Sequence, residues 1–188
     1  MLSLQDSGCH NINLVTPTHQ VPMILRSLEI AVENGLRLPL VYNCGGYESV
    51  RILRILEGVV DIYMPDFKCF DPRVALKLSM AEDYPSSVMD AIREMHRQVG
   101  DLVVDERGIA KRGLIVRHLL LPEGLAGTEE VAKFLVDAIS PDTYFNIMDQ
   151  YYPCYRSVEH PPLDSRITDD EYKKAVKSAQ ETGLKRLD

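Results

Sequence analysis

The sequence has no closely spaced cysteine motif, and this excludes several kinds of site. None of its four cysteines forms a Cys-x-x-Cys or similar clip, so spacing indicates no metal or cluster site. No apolar run approaches the roughly 20 residues that span a bilayer. Residues 1–6 have neither the basic start nor the apolar segment of a signal peptide. We therefore expect a cytoplasmic protein whose cysteines are free thiols: Cys9, Cys44, Cys69 and Cys154.

Positive charge is also scarce. The chain has 21 lysines and arginines against 28 aspartates and glutamates, a formal net charge of −7. This balance argues against a nucleic-acid or anionic-membrane partner, because such partners favour a basic face. The 188 residues, of which 45% are hydrophobic, can bury a core of ordinary size. No linker or low-complexity segment divides them, so we expect one domain over residues 1–188.

Short β-rich apolar runs alternate with longer helical patterns along the chain. The predicted strands are residues 12–16, 38–42, 59–64, 114–121 and 144–148. The predicted helices are residues 22–35, 48–57, 72–78, 87–99, 128–139 and 169–182; Thr128 is expected to cap the fifth, and a capping box opens the last. A small polar hairpin is expected between residues 101 and 112. Apolar strands joined by helices predict an α/β fold with a parallel sheet whose strands are buried on both faces. Five such strands are too few to close an eight-stranded barrel.

Polar side chains follow each predicted strand. In parallel α/β folds ligands bind beyond the carboxyl ends of the strands, so a single site would account for all five clusters. The clusters are Thr16–His19, Asn43–Gly46, Asp66–Lys68, Arg117–His118 and Asp149–Tyr151.

Arg117 is the strongest candidate for a site residue. It lies within an apolar strand, where a buried guanidinium is unfavourable unless it is paired. We expect it to face a ligand or an acid such as Asp66, while His118 points to the opposite face as a hydrogen-bonded core residue. Asp66 and Lys68 should share one side of their strand, where an acid beside an ammonium could bind an amino-acid zwitterion. A surface ion pair is the plainer interpretation. A Schiff-base lysine is another, if burial lowered the pKa of Lys68.

Six sequence segments, taken together and in this order, resemble a bacterial and archaeal radical S-adenosylmethionine family homologous to pyruvate formate-lyase activating enzymes. The segments are Asn11–His19, Val41–Tyr47, Asp61–Lys68, Glu94–Gly100, Arg117–Pro122 and Met148–Tyr151. The resemblance spans nearly the whole chain. It implies a partial TIM-type (βα) barrel, a [4Fe–4S] cluster held by a Cys-x-x-x-Cys-x-x-Cys loop, and S-adenosylmethionine cleaved to a 5′-deoxyadenosyl radical. In the activating enzymes that radical removes a hydrogen from a glycyl radical enzyme.

The resemblance also implies a set of cofactor-binding residues. Asp66 and Lys68 match the Asp-x-Lys that binds the methionine carboxylate in the family. Arg117 matches an arginine on the fifth family strand. The resemblance therefore makes Lys68 and Arg117 the catalytic candidates. Asn43 and Gly45 match a turn that approaches the ribose. The usual Gly-Gly-Glu turn is replaced by Thr16, Pro17 and Thr18, and the adenine contacts would fall at Gln150 and Tyr151.

The departure from the family is that no Cys-x-x-x-Cys-x-x-Cys is present, so we expect no metal ligands in this chain. We expect a barrel that lacks the first strand and the cluster loop, an N-terminally incomplete protein that is inactive alone. Residues 12–16 should then form an uncovered sheet edge through which copies of the chain dimerise or aggregate. Two alternatives stay open: a cluster-free barrel enzyme using Lys68 with Asp66 or Tyr63, and a non-catalytic remnant that binds a nucleoside or a partner protein.

Overall fold

The structure, a computed structural model, describes all 188 residues. Its helices are α1 (Leu2–Asp6), α2 (Val21–Glu33), α3 (Val50–Ile55), α4 (Pro72–Ser79), α5 (Tyr84–Val99), α6 (Thr128–Ala138) and α7 (Asp169–Glu181). Its strands are β1 (Ile12–Val15), β2 (Leu40–Cys44), β3 (Ile62–Pro65), β4 (Val103–Val104), β5 (Ala110–Leu119), β6 (Tyr144–Met148) and β7 (Arg186–Leu187). The alternation of strands and helices predicted from the apolar runs is confirmed.

The strands form one sheet in the order β1-β2-β3-β5-β6-β7, and every pair along this path is parallel. Because each strand pairs with the next along the chain, the sheet winds in one direction, as in a barrel that has not closed. The two-residue β4 pairs antiparallel with β5 in the hairpin expected between residues 101 and 112. The predicted α/β fold class, a partial parallel barrel, is therefore confirmed, with β1 as a free edge.

The two faces of the sheet differ in burial. In β5 the residues Leu114, Val116 and His118 are fully buried against the helices, whereas the alternate residues Ile115 and Arg117 are only half-buried. β6 repeats this pattern, with Phe145 buried and its neighbours half-buried. The expectation of strands buried on both faces is therefore wrong for the inner face: because the sheet is open, that face has no second layer to cover it.

Two local predictions at the helix ends have different outcomes. The capping box is present, since the Thr168 hydroxyl accepts from the Glu171 N–H and the Glu171 carboxylate accepts from the Thr168 N–H. Thr128 does not cap α6, because Gly127 occupies the N-cap position in a left-handed conformation. The Thr128 hydroxyl instead contacts His118. The short elements α1 and β7 were not predicted, being too brief to show a periodicity.

No helix combines the length and the apolar character that crossing a bilayer requires.

The turn after β2 depends on one glycine of the Gly45-Gly46 pair. Gly46 has φ of +80°, and a Cβ there would overlap the Asp66 carbonyl oxygen and the Val88 side chain. Gly45 has no such constraint, because a Cβ there would lie 3.7 Å from Lys68 Cε, an ordinary contact. Gly46 is thus required for the close approach of the β2 and β3 ends, while Gly45 borders the Lys68 side chain.

We expect Gly46→Ala to lower the free energy of unfolding by about 2 kcal/mol or more, since it adds a left-handed backbone penalty to a backbone overlap. Urea unfolding monitored by circular dichroism measures this. Gly45→Ala is the matched control and should change the unfolding midpoint little. Equal destabilisation by the two variants would contradict the assignment.

Candidate functional site

The carboxyl ends of β2, β3 and β5 lie side by side and present polar groups to the inner face. The β2–β3 ladder ends at the pair Cys44 and Pro65, and an isolated parallel bridge joins Asp66 to Arg117 beyond the β3–β5 ladder. Asp66 therefore lies between the ends of β2 and β5. This order follows from the single direction of winding, which places three successive strand ends along one rim.

Arg117 is bound to two side chains from the neighbouring strands. Its Nε and Nη2 lie 2.8 and 2.6 Å from Asp66 Oδ1, and Nη2 also donates to Asn43 Oδ1 at 2.9 Å. The side chain of Arg117 is 27% exposed and that of Asp66 19%. The prediction that Arg117 faces an acid such as Asp66 is confirmed, and the guanidinium joins β2, β3 and β5.

Lys68 takes the second oxygen of the same carboxylate. Its Nζ lies 2.9 Å from Asp66 Oδ2, so Asp66 and Lys68 do share one side as expected. The Lys68 side chain is 55% exposed. A Schiff-base lysine is usually enclosed in an apolar pocket, and this lysine is too exposed for that. We define the rim cluster as Asn43, Asp66, Lys68 and Arg117.

A buried histidine supports the rim cluster from the opposite face of β5. His118 Nδ1 lies 2.6 Å from the Phe67 carbonyl oxygen and Nε2 lies 3.0 Å from Thr128 Oγ1. Because a carbonyl only accepts, Nδ1 carries the hydrogen and Nε2 accepts from the Thr128 hydroxyl. Burial lowers the pKa of His118 to about 4, so the ring is neutral. The expectation of a hydrogen-bonded core histidine is confirmed.

Glu48 is a buried carboxyl that the sequence did not single out. Its Oε1 accepts from the Thr18 hydroxyl at 2.5 Å and its Oε2 accepts from the Tyr42 hydroxyl at 3.1 Å. No lysine or arginine pairs with it, and burial raises its pKa. Glu48 thus connects the loop after β1 with the end of β2. A glutamate at the start of a predicted helix gives no sign of this, because helix starts commonly carry acids.

The remaining predicted site residues lie around the rim without joining its hydrogen bonds. Thr16 is exposed at the end of β1 with φ of +49°, and its backbone N–H donates to the Asn43 carbonyl. The Thr18 hydroxyl is used by Glu48. Gln150 is exposed after β6, and the Tyr151 hydroxyl donates to the Leu163 carbonyl at 2.7 Å. Cofactor contacts by these residues stay predictions.

The chain's own residues do not fit an iron–sulfur cluster. Cys44 and Cys69 are buried, Cys9 and Cys154 are exposed, and no group of three or more histidine, cysteine or acidic side chains is placed to hold a metal ion. Burial, with a smaller effect of Glu48, raises the pKa of the Cys44 thiol, which opposes thiolate formation. A cluster needs several thiolates around one centre, so these cysteines would not supply it.

Comparison with known proteins gives one relative by sequence. The chain is 32% identical over 177 residues to the uncharacterized protein MJ0674 of Methanocaldococcus jannaschii, covering 93% of this chain and 47% of that protein. The chain thus spans about half the length of the curated relative that it matches. No family model matches the sequence.

Solved structures that share the fold include the following two. A domain of a pyruvate-formate lyase-activating enzyme from Bacteroides vulgatus superposes with a TM-score of 0.66 at 10% identity, covering 96% of this chain and 98% of that domain. A radical SAM methyltransferase from Sphaerobacter thermophilus superposes with a TM-score of 0.68 at 15% identity, covering all of this chain and 53% of the other. The chain therefore has the fold of these proteins, as its resemblance to the radical S-adenosylmethionine family predicted.

The low pKa of His118 predicts a loss of stability in acid. In the unfolded chain the His118 side chain takes up a proton near its ordinary pKa of 6.5, whereas in the folded chain its pKa is about 4. Stability is therefore complete above pH 6.5 and falls as the pH is lowered towards 4, by about 3 kcal/mol over that window. The raised pKa of Glu48 has the opposite effect, since it lowers stability as the pH rises above the ordinary glutamate value of 4.5. The comparison must therefore be made between variants.

His118→Asn, whose amide can still donate to the Phe67 carbonyl, should be less stable at pH 7.5 and should lose less further stability down to pH 4.5. Urea unfolding midpoints across this range measure it. His19→Gln changes an exposed histidine and should keep the wild-type slope. A wild-type slope in His118→Asn would contradict the assignment.

Proposed function

We propose that this chain is the S-adenosylmethionine-binding part of a radical S-adenosylmethionine enzyme of the activating type, and that the rim cluster holds the methionyl carboxylate. The observation that supports this most directly is the shared carboxylate: Lys68 and Arg117 contact opposite oxygens of Asp66. Two cations that converge on one carboxylate are geometrically able to bind a second one.

The charge balance of the rim cluster favours an anionic group. Two cations and one carboxylate leave one positive charge, within a chain whose overall charge is −7. Asn43 adds an amide that can reorient between donor and acceptor. The inner face beside the cluster is half-open, so a ligand larger than a carboxylate can extend across it. These features suit the amino-acid end of S-adenosylmethionine, because Asp66 Oδ2 bonds only Lys68 and can accept a second hydrogen bond from the ligand ammonium.

A reduced [4Fe–4S] cluster, if one were bound beside S-adenosylmethionine, would supply the electron that cleaves it to a 5′-deoxyadenosyl radical. This chain's cysteines do not fit such a cluster, so in this proposal its ligands lie outside these 188 residues. Within the chain, Lys68 and Arg117 bind and orient the carboxylate, while Asn43 and Gly45 border the space beside it. The exposed residues Thr16 and Gln150 would contact the remainder of the nucleoside.

The likeness to an activating-enzyme domain supports a glycyl radical enzyme as the partner that receives the radical. The second structural neighbour is a methyltransferase, so the fold is compatible with more than one substrate class. We propose a cytoplasmic location, which is supported by the four free cysteines, because thiols persist in reducing compartments.

Titration calorimetry with S-adenosylmethionine at low ionic strength tests the site, because salt screens exposed charges. Lys68→Met removes the ammonium while keeping the chain length, and it should weaken binding about 10- to 100-fold, the usual effect of losing a charge-assisted hydrogen bond. Amide chemical shifts of Gly45 and Asp66 should move on binding.

Lys77→Met is the matched control, because Lys77 is exposed on α4 and forms no ion pair. It should bind as the wild type does. If both variants bind equally well, or if the wild-type rim amides do not shift, the rim cluster is not the carboxylate site.

We also propose that two copies of this chain pair through β1. The N–H groups of Ile12 and Thr16 donate to the segment of β2, so those of Asn13 and Val15 point away from the sheet. The Val15 side chain is 67% exposed. An edge strand with free backbone groups and an exposed apolar side chain is a template for pairing with a second chain.

Sedimentation velocity should show a concentration-dependent dimer for the wild type. Val15→Lys puts a charge on the edge strand without removing a core contact and should shift the protein to monomer. Val158→Lys introduces the same charge at a residue that is 69% exposed in the segment between β6 and α7, and it should leave the dimer intact. A wild type that stays monomeric at high concentration rules out the edge dimer.

A further inference from the structure

One phenol hydroxyl connects two strand ends beneath the rim cluster. Tyr84 Oη lies 3.0 Å from the Gly45 carbonyl oxygen and 2.8 Å from the Asp66 carbonyl oxygen. It also accepts from the Lys68 backbone N–H at 2.9 Å. The phenol has a single hydrogen, so the two carbonyls share it while the amide fills a lone pair. Tyr84 is 5% exposed, which makes these bonds persistent.

The three bonds lie where the sheet ladder stops. The last backbone bond between the two ends runs from the Asp66 N–H to the Cys44 carbonyl at 2.9 Å. Gly46 then turns the chain away, leaving the Gly45 and Asp66 carbonyls without ladder partners. Buried backbone groups need a hydrogen-bond partner, and the Tyr84 hydroxyl provides it for both carbonyls and for the Lys68 amide.

Tyr84 is held by the first turn of α5. Val88, one turn later, packs against Gly46, and the Tyr47 ring lies 6.0 Å from the Tyr84 ring. Burial raises the pKa of Tyr84, so its hydroxyl keeps its proton in ordinary buffers. The Asp66–Lys68 segment is held elsewhere too, since the Phe67 N–H donates to the Arg117 carbonyl at 2.8 Å and its carbonyl accepts from His118.

We propose that Tyr84 is a positioning residue for the anion site: it fixes the backbone of Asp66 and Lys68 relative to β2, so that the Lys68 ammonium and the Arg117 guanidinium converge on one ligand carboxylate. This inference rests on the proposed function. It assigns no contact between Tyr84 and the ligand, because its hydroxyl is buried and bonded to three backbone groups.

Tyr84→Phe keeps the ring and removes only the hydroxyl. We expect affinity for S-adenosylhomocysteine, which carries the amino-acid group, to fall about 3- to 10-fold, the effect of losing one net hydrogen bond. Affinity for 5′-methylthioadenosine, which lacks the carboxylate, should stay unchanged. Hydrogen exchange at the Lys68 amide should become faster, because its acceptor is gone.

Tyr63→Phe is the matched control for a purely structural effect. Tyr63 is a fully buried tyrosine on β3 whose hydroxyl donates to Gln98 Oε1 at 2.8 Å, away from the rim. Its loss should lower stability without changing the affinity for either nucleoside. Calorimetry is done at a temperature where all variants are folded, as judged by circular dichroism.

The outcomes separate this inference from the proposed function. If Lys68→Met loses S-adenosylhomocysteine binding while Tyr84→Phe binds as the wild type does, only the role of Tyr84 is overturned. Equal losses for both nucleosides in Tyr84→Phe, or the same loss in Tyr63→Phe, would show a general structural effect and would also overturn it. If the wild type binds neither nucleoside, the proposed function and this inference fall together.

Discussion

The ion pair between Arg117 and Asp66 is the constraint on which the rim depends. A guanidinium on a strand of a parallel sheet is costly without a partner, and breaking such a pair leaves a charge uncompensated. Here the partner comes from the segment after the neighbouring strand, and Asn43 adds a contact from the strand beyond it. The same side chains that satisfy Arg117 therefore align three strand ends and leave Lys68 facing the open side. The interactions of Arg117 therefore both stabilise the sheet and set the geometry of the rim cluster.

Successive residues of β5 act on the two faces of the sheet at the same level. Arg117 binds the Asp66 carboxylate on the inner face, and His118 binds the Phe67 carbonyl from the helix side. Strand alternation makes this pairing automatic, since neighbouring side chains point in opposite directions. The other ring nitrogen of His118 accepts a hydrogen bond from the Thr128 hydroxyl at the start of α6. That hydroxyl is therefore not used to cap the helix.

The sequence predicts those parts of the fold that follow from the spacing of apolar residues or from the free-energy penalty of burying a charge. It predicted the strand–helix alternation, the hairpin before β5 and the pairing of Arg117 with Asp66, because each follows from local pattern or from the penalty of a buried charge. Glu48 and Tyr84 were missed, since their importance comes from partners 30 and 39 residues away. The two glycines of the turn after β2 could not be separated either, because only the approach of β3 distinguishes them.

Lys68 is the member of the rim cluster with the most freedom to respond to a ligand. Arg117 is fixed by its strand and by bonds to two side chains, whereas the Lys68 ammonium has one partner and a side chain that is 55% exposed. An incoming carboxylate must compete with Asp66, and it can do so at Lys68 without breaking the pair between Arg117 and Asp66. The backbone of Lys68, by contrast, is fixed. Its N–H donates to the Tyr84 hydroxyl, and the carbonyl of the preceding Phe67 accepts from His118. A flexible ammonium on a fixed backbone can exchange an internal carboxylate for an external one while the sheet stays intact.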